Sequence, residues 1–342
     1  MNRRPLKKIL IIAPAWVGDM VMMHSLLRYL KQQDSQIILH VLAKPSLVSL
    51  TQYMPEVSKT IEFSCDHGEL GLKKRYRLGK KLSHEKYNQA IVLPNSFKSA
   101  FIPFFAKIPI RTGWRGECRY GLLNDIRILD KQQYPLMIQR FLALGMSKQR
   151  YTPVEIWPDF QVDQTQAISC AEQFHIDTHK PLLILCPGAA YGISKQWPGE
   201  YFAKVALEKA KQKFQIVILG STGDQAIADR IMQSAQCLNL VGKTTLSEAI
   251  NLLSRATVVV SNDSGLMHIA AALGRPLVAI YGSSTPGFTP PLTKHVKILE
   301  RQLDCHPCFK RVCPLVDPLK HMACLKDIKP AAVLAAIGEL CQ

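Results

Sequence analysis

Short, largely apolar runs alternate with helix-like segments along the whole chain, and no other feature limits its fold so strongly. They fall at residues 9–13, 37–42, 90–93 and 126–129, and again at 182–186, 215–219, 238–241, 258–260 and 277–281. A strand that is apolar at successive positions must be covered on both faces, and helical crossovers between such strands make parallel sheets. There are too many of these strands for one compact doubly wound sheet, and each half restarts with a strand and a Pro/Gly turn. The length of 342 residues also favours two cores. The expected architecture is α/β, with two Rossmann-like doubly wound domains facing a cleft at the carboxyl ends of their strands. The polar stretch 154–180 holds the expected boundary, giving domains 1–165 and 166–326. A C-terminal helix, 327–342, is expected to pack back on the first domain.

The turns after these strands carry the candidate chemistry. After the run at Val258–Val260 comes Ser261-Asn262-Asp263-Ser264-Gly265, followed by a helix-like segment containing His268. The first N–H groups of a helix have no intrahelical partner and lie at the positive end of its dipole, which makes an anion site. The same turn also reads as an ordinary capped helix start with Asp263 or Ser264 as N-cap. The second half opens on a strand followed by Pro187-Gly188-Ala189 and, within the same loop, Lys195. Small residues there leave room for a ligand, and a lysine is a natural phosphate partner. Gly220-Ser221-Thr222-Gly223-Asp224 follows another strand and exposes further backbone donors. Three such turns suit a nucleoside diphosphate. The chain has no Gly-x-x-x-x-Gly-Lys-Ser/Thr loop, and no Gly-x-Gly-x-x-Gly turn follows its first strand. A P-loop ATPase and a nicotinamide dehydrogenase are therefore disfavoured.

In the first half, residues 9–13 lead into Pro14-Ala15-Trp16-Val17-Gly18-Asp19 and then a helix. Asp19 at a strand tip reads either as a general base for a substrate hydroxyl or as a helix N-terminal carboxylate favoured by the dipole. Arg3, Arg4, Lys7 and Lys8 precede an apolar run, as in a signal peptide, but the run is short and broken by Pro14. A buried strand fits better. No stretch approaches the roughly 20 apolar residues of a membrane span, so the expected location is cytoplasmic, at most peripheral on a membrane.

The 43 Lys and Arg against 26 Asp and Glu give a net charge of +17, a field that favours an anionic partner. Lys73, Lys74, Arg75 and Arg77 form one run, and Arg111, Arg115 and Arg119 form another at four-residue spacing, interleaved with glycines as in a loop. Arginines give bidentate phosphate contacts, so the second group is the stronger candidate for a phosphorylated acceptor. A nucleic-acid-binding protein is the rival from charge alone, but no RNA- or DNA-binding module is present. Cys305, Cys308, Cys313 and Cys324 are spaced C-x2-C-x4-C-x10-C. They read either as a structural zinc site or as reduced loop cysteines.

The motifs Trp16-Val17-Gly18-Asp19-Met20, Cys186-Pro187-Gly188, Lys195-Gln196-Trp197-Pro198 and Asn262–His268 together resemble those of the bacterial lipopolysaccharide heptosyltransferases, ADP-heptose-using glycosyltransferases of the GT-B fold. The resemblance covers nearly the whole chain. The segments Leu93–Ala100 and Arg111–Asp125 are similar to those of members that add the second inner-core heptose. The resemblance implies that Asp19 is the catalytic base. It implies that Gly188, Ala189, Lys195, Ser221, Asp263, Ser264, Gly265 and His268 bind the donor, although Ala189 stands where the family has Thr. Lys98, Arg111, Arg115 and Arg119 would contact the acceptor. The implied reaction inverts the anomeric centre in a single displacement and requires no cofactor. The implied partners are ADP-heptose, a heptosyl-Kdo2-lipid A type acceptor and the inner-leaflet surface, with no nucleic acid. A related heptosyltransferase using another core acceptor is the alternative. The resemblance lends no support to a metal at the cysteines.

Overall fold

The computed structural model describes residues 7–65, 68–147 and 155–342. Arg3 and Arg4, and the Val154 end of the expected boundary stretch, lie outside the described residues. The chain divides into two compact units, Met1–Pro158 and Asp159–Gln342.

The first unit runs β1 (Lys8–Ile12), α1 (Val17–Gln33), β2 (Ile38–Ala43), β3 (Val57–Glu62), α2 (Leu72–Ser83), β4 (Gln89–Val92), α3 (Phe101–Phe105), β5 (Ile110–Trp114), β6 (Asp125–Arg127) and α4 (Met137–Gly145). Its six strands are parallel in the order β3-β2-β1-β4-β5-β6. The second runs α5 (Gln164–Gln173), β7 (Leu182–Cys186), α6 (Gly199–Lys211), β8 (Gln215–Ile218), α7 (Gln225–Met232), β9 (Leu238–Asn239), α8 (Leu246–Arg255), β10 (Val258–Asn262), α9 (Gly265–Ala272), β11 (Leu277–Ile280), β12 (Val296–Leu299), α10 (Ala323–Lys326) and α11 (Pro330–Leu340). Its strand order, β9-β8-β7-β10-β11-β12, repeats the first. Both sheets are Rossmann-like, with a switch point between the first and fourth strands of each unit. Ligands of such sheets bind outside the strand ends at that point.

Successive residues of β7, β10 and β11 are all buried, the consequence of helices on both faces. Edge strands β3 and β12 lack that cover and carry Ser58, Lys59, Thr60 and Lys297, so no apolar run announced them. Strand β5 is interior but polar, and it corrects the expectation that residues 111–121 form one loop. Its Thr112 hydroxyl accepts from Gln89 Nε2 and donates to Asp125 Oδ2, each at 2.9 Å.

The C-terminal helix belongs to the second unit. Helix α11 buries Val333, Ala336 and Ile337 in the core of the second unit, among Phe202, Val260 and Ile280. Each fully buried aliphatic side chain contributes about 1.5–3 kcal/mol, so this helix is held by the core of the second unit.

Candidate active site

The switch point of the second unit is built by Asn262, the last residue of β10. Its amide Nδ2 donates to the Pro187 carbonyl at 2.6 Å, and its Oδ1 accepts the Trp197 N–H at 3.1 Å. One fully buried side chain therefore ties both ends of the 187–197 loop to β10, which satisfies the rule that buried polar groups are bonded. Trp197 anchors the far end: it is fully buried, and its indole N–H donates to the Ile328 carbonyl at 2.8 Å. At the near end, a Cβ on Gly188 would lie 2.3 Å from the Asp224 carboxylate. That carboxylate accepts both the N–H and the hydroxyl of Ser221 at 2.8 Å. The Ser221 hydroxyl is thus committed to closing its own turn.

Lys195 ends a short 3-10 turn, Ile193–Lys195. Its ammonium stands 2.5 Å from Asp263 Oδ2 and 4.9 Å from the centre of the Tyr191 ring. Asp263 is almost fully buried and also accepts from the Ser284 hydroxyl. Ser264 caps α9 by accepting the Met267 N–H, and Gly265 opens the helix. An ammonium has three N–H donors. One goes to Asp263, leaving two for an anion at the start of α9. Ala189 is buried in the loop wall.

His268 lies one turn into α9 and is buried. Burial pushes its pKa down to about 4, against the pull of Asp263 and with the help of Lys195. It is a neutral hydrogen-bonding group at pH 7. In the first unit, His40 is likewise pushed down to about 4 by burial first, with its Nδ1 2.8 Å from the Tyr87 hydroxyl. Both folded values lie below the ordinary 6.5. The unfolded chain therefore takes up protons first as pH falls, and stability present above pH 6.5 is lost on the way to 4. The thermal unfolding midpoint should drop between pH 6.5 and 4.5, and His40→Leu should remove part of that slope. A flat midpoint over this range would contradict the assignment.

In the first unit, Leu93 N–H donates to the Ile12 carbonyl at 3.2 Å, joining the ends of β1 and β4 at the switch point. Asp19 lies in the first turn of α1, half-buried, beyond an N-cap (Trp16) that gives no side-chain cap. Beside it in the topology, Pro94–Ser99 leaves β4. Arg119 braces that segment: it is fully buried and donates to the Pro94 carbonyl, the Ser99 hydroxyl and the Trp114 carbonyl. Burial lowers its pKa to about 10. Both of its Nη atoms hold the loop, and its buried Nε has no hydrogen-bond partner among the described residues. Gly116 adopts a positive φ, and a Cβ there would meet the Asn95 carbonyl at 2.4 Å. The Phe97 N–H donates to Glu117 at 2.7 Å. Arg111, on β5, gives Nε to the Leu122 carbonyl and Nη1 to the Ile108 carbonyl. Lys98 donates to the Glu69 carbonyl at 3.1 Å, and Arg115 is exposed. Of the run at 73–77, Arg75 turns inward onto the Leu70 carbonyl and the Phe63 ring, while Lys73, Lys74 and Arg77 are exposed.

The four cysteines lie in or next to the irregular stretch 300–322 and line one cavity of about 30 Å³, with Ser194, Ser283 and Met322 among its walls. All four are free thiols.

The sequence reasoning had not assigned Asn262, Asp224 or Ser284. Asn262 carried a signal, a polar residue closing an otherwise buried strand. Asp224 signals only its own turn, three residues after Ser221, because its approach to Gly188 and the Ser284 contact with Asp263 join distant parts of the chain.

Residues 75–317 match the family model for glycosyltransferase family 9 (heptosyltransferase). The chain is 44% identical to lipopolysaccharide heptosyltransferase 2 of Escherichia coli K12, over 97% of this chain and 98% of that one. It is 45% identical to lipooligosaccharide heptosyltransferase 2 of Haemophilus influenzae, over 85% and 88%. The solved structure of E. coli ADP-heptose LPS heptosyltransferase II is similar at a TM-score of 0.87 and 39% identity, covering 98% of each chain.

Proposed function

The chain belongs to glycosyltransferase family 9, the heptosyltransferases, and from that premise we propose how its residues divide the work of transfer. The protein is a glycosyltransferase that moves heptose from ADP-heptose onto the inner core of lipopolysaccharide. Its two Rossmann-like units follow the GT-B pattern. The acceptor hydroxyl is that of the first core heptose, on a heptosyl-Kdo2-lipid A type molecule.

The donor's diphosphate binds where Lys195, Ser264 and Gly265 converge at the start of α9, and this cluster is the observation that carries the reading. Gly188, Ala189 and the backbone of the Ser221 turn form the surrounding wall, and His268 supplies a neutral hydrogen-bonding group. Asp19 takes the proton of the acceptor hydroxyl as its oxygen attacks the anomeric carbon. The bond from that carbon to the β-phosphate oxygen breaks, and ADP leaves with added negative charge. Two N–H donors of Lys195 and the N–H groups opening α9 stabilise that charge in a partly dry site, where such contacts count for more than in water. On this reading the protein's own groups compensate the leaving group, and no cofactor is required.

Lys98, within the Pro94–Ser99 segment that Arg119 braces, and Arg111 and the exposed Arg115 are the acceptor contacts. Helix α2 and the residues just before it present Leu70, Leu72 and Tyr76, all about half-exposed, beside exposed Lys73, Lys74, Arg77, Lys80 and Lys81. That mixture suits an anionic lipid surface, where each basic residue contributes about 1 kcal/mol. It also accounts for the net charge of +17. No helix of the described residues is long and apolar enough to cross a membrane. The basic and apolar mixture on α2 is what supports peripheral work on the cytoplasmic side of the membrane.

A single displacement inverts the anomeric centre. NMR of the transferred heptose should give the configuration opposite to that of the donor. Retention would remove the mechanism.

A further inference from the structure

We propose that Cys305, Cys308, Cys313 and Cys324 form a tetrahedral tetrathiolate site for one thiophilic divalent cation, zinc or iron, which fixes the loop that backs the donor pocket. Tetrahedral sulfur coordination is the chemistry these two metals share. Four thiols from separate points in the sequence line one small cavity, together with the apolar side chains of Leu303, Leu315 and Met322. None is in a disulfide.

The loop needs such a tie. Residues 300–322 have no regular secondary structure, and Val316 and Leu319 are almost fully exposed. An irregular stretch of this length is uncommon inside a compact domain unless something other than an apolar core orders it. Its backbone is nevertheless specific around the thiols. Phe309, next to Cys308, and Met322, two residues before Cys324, both have positive φ without being glycine. The Met322 N–H donates to Cys313 Sγ at 3.4 Å, the kind of contact that stabilises a thiolate. Among the described residues, no group of three or more His, Cys, Asp or Glu side chains is placed to hold a metal ion as it stands. The four thiols share one cavity, and a bound ion would have to draw them together.

The same loop holds the donor site from behind. Tyr191 Oη donates to the Phe309 carbonyl at 2.5 Å, and the Ser194 N–H donates to the Arg311 carbonyl at 3.3 Å. The Ser194 hydroxyl donates to the Lys310 carbonyl. A Cβ on Gly192 would lie 2.4 Å from the Arg311 carbonyl. On the other side, the Phe309 N–H donates to the Ser283 carbonyl at 2.8 Å, and His306 Nε2–H donates to the Ser284 carbonyl at 2.9 Å. Ser284 in turn donates to Asp263, the partner of Lys195. A metal among the four sulfurs would thus hold the wall that positions Lys195, without touching the reacting atoms.

The test is metal analysis of the full-length protein purified from cells supplied with zinc and iron. About one ion per chain is expected. A colourless protein indicates zinc, and visible thiolate-to-metal absorption indicates iron; either supports the site. Cys308→Ser and Cys324→Ser should each lose the metal and weaken ADP binding, whereas Cys341→Ser should keep both. If the serine variants do not fold, the wild type serves instead. A mercurial titrated in the presence of a metal indicator should release about one ion per chain as four thiols react, with ADP affinity falling in step. The proposal is overturned if the protein carries no stoichiometric metal, if both serine variants retain it, or if mass spectrometry finds these cysteines paired as disulfides. Because metal content is read without a transfer assay, failure here is distinguishable from failure of the heptosyltransferase mechanism.

Discussion

Asp19→Ala is expected to lower the rate of heptose transfer by at least about 100-fold, within the usual contribution of general acid–base catalysis, while ADP binding stays near normal. The carboxylate lies in the first turn of α1 at the switch point of the first unit, and the residues proposed to bind ADP all belong to the second unit. A structural role would give a different pattern. A carboxylate near a helix N-terminus contributes about 0.3–1 kcal/mol, so its loss lowers the unfolding midpoint slightly and leaves the rate per folded molecule unchanged. Asp19→Asn sharpens the distinction because it keeps the shape and hydrogen-bonding reach but cannot take a proton. Both variants should show the same loss in kcat, with calorimetric affinity for ADP unchanged. A near-normal kcat in Asp19→Asn would exclude Asp19 as the base.

Lys195→Ala is expected to have the second large effect, and on two observables. Loss of a charge-stabilising donor in an enclosed site lowers turnover by about 100- to 1000-fold, and ADP affinity should fall with it. The substitution also strands Asp263, a nearly buried carboxylate whose ion pair with Lys195 is 2.5 Å long. Removing one member of a buried pair costs about 3–5 kcal/mol, so the single variant should also melt early. Lys195→Met combined with Asp263→Asn separates the two effects. The double variant removes both charges and should recover most of the stability but none of the transfer activity. Recovery of activity along with stability would mean that Lys195 serves the fold and not the diphosphate.

These residues differ in how legible they are from local sequence. The Asn262–Gly265 turn was legible because a β-branched run ends abruptly in small polar residues and a glycine, a local pattern with a local cause. Asp19 was legible for the same reason, at the junction of the first strand and the first helix. The interior strands other than β5 were legible because both of their faces are covered. Strands β3 and β12, at the sheet edges, were not, because partial exposure breaks the apolar run. The arginines at 111, 115 and 119 show what spacing conceals. A regular interval suggested one cationic cluster, yet Arg111 lies on a strand, Arg115 faces outward and Arg119 is enclosed with three acceptors. Strand and loop geometry sends them in different directions, and only tertiary structure decides which is buried. The clamp made by Asn262 spans 75 residues to Pro187 and 65 to Trp197. The carboxylate of Asp224 fills the space a side chain at position 188 would need. Contacts of that range leave no periodicity to read.

The central claim is transfer of heptose from ADP-heptose to a core acceptor that already carries one heptose. Its most direct test gives the purified enzyme ADP-heptose with Kdo2-lipid A type acceptors bearing zero, one or two heptoses, and follows product mass. Product from the one-heptose acceptor alone is the predicted result. Efficient turnover of the heptose-free acceptor, or none of the one-heptose acceptor, would contradict it.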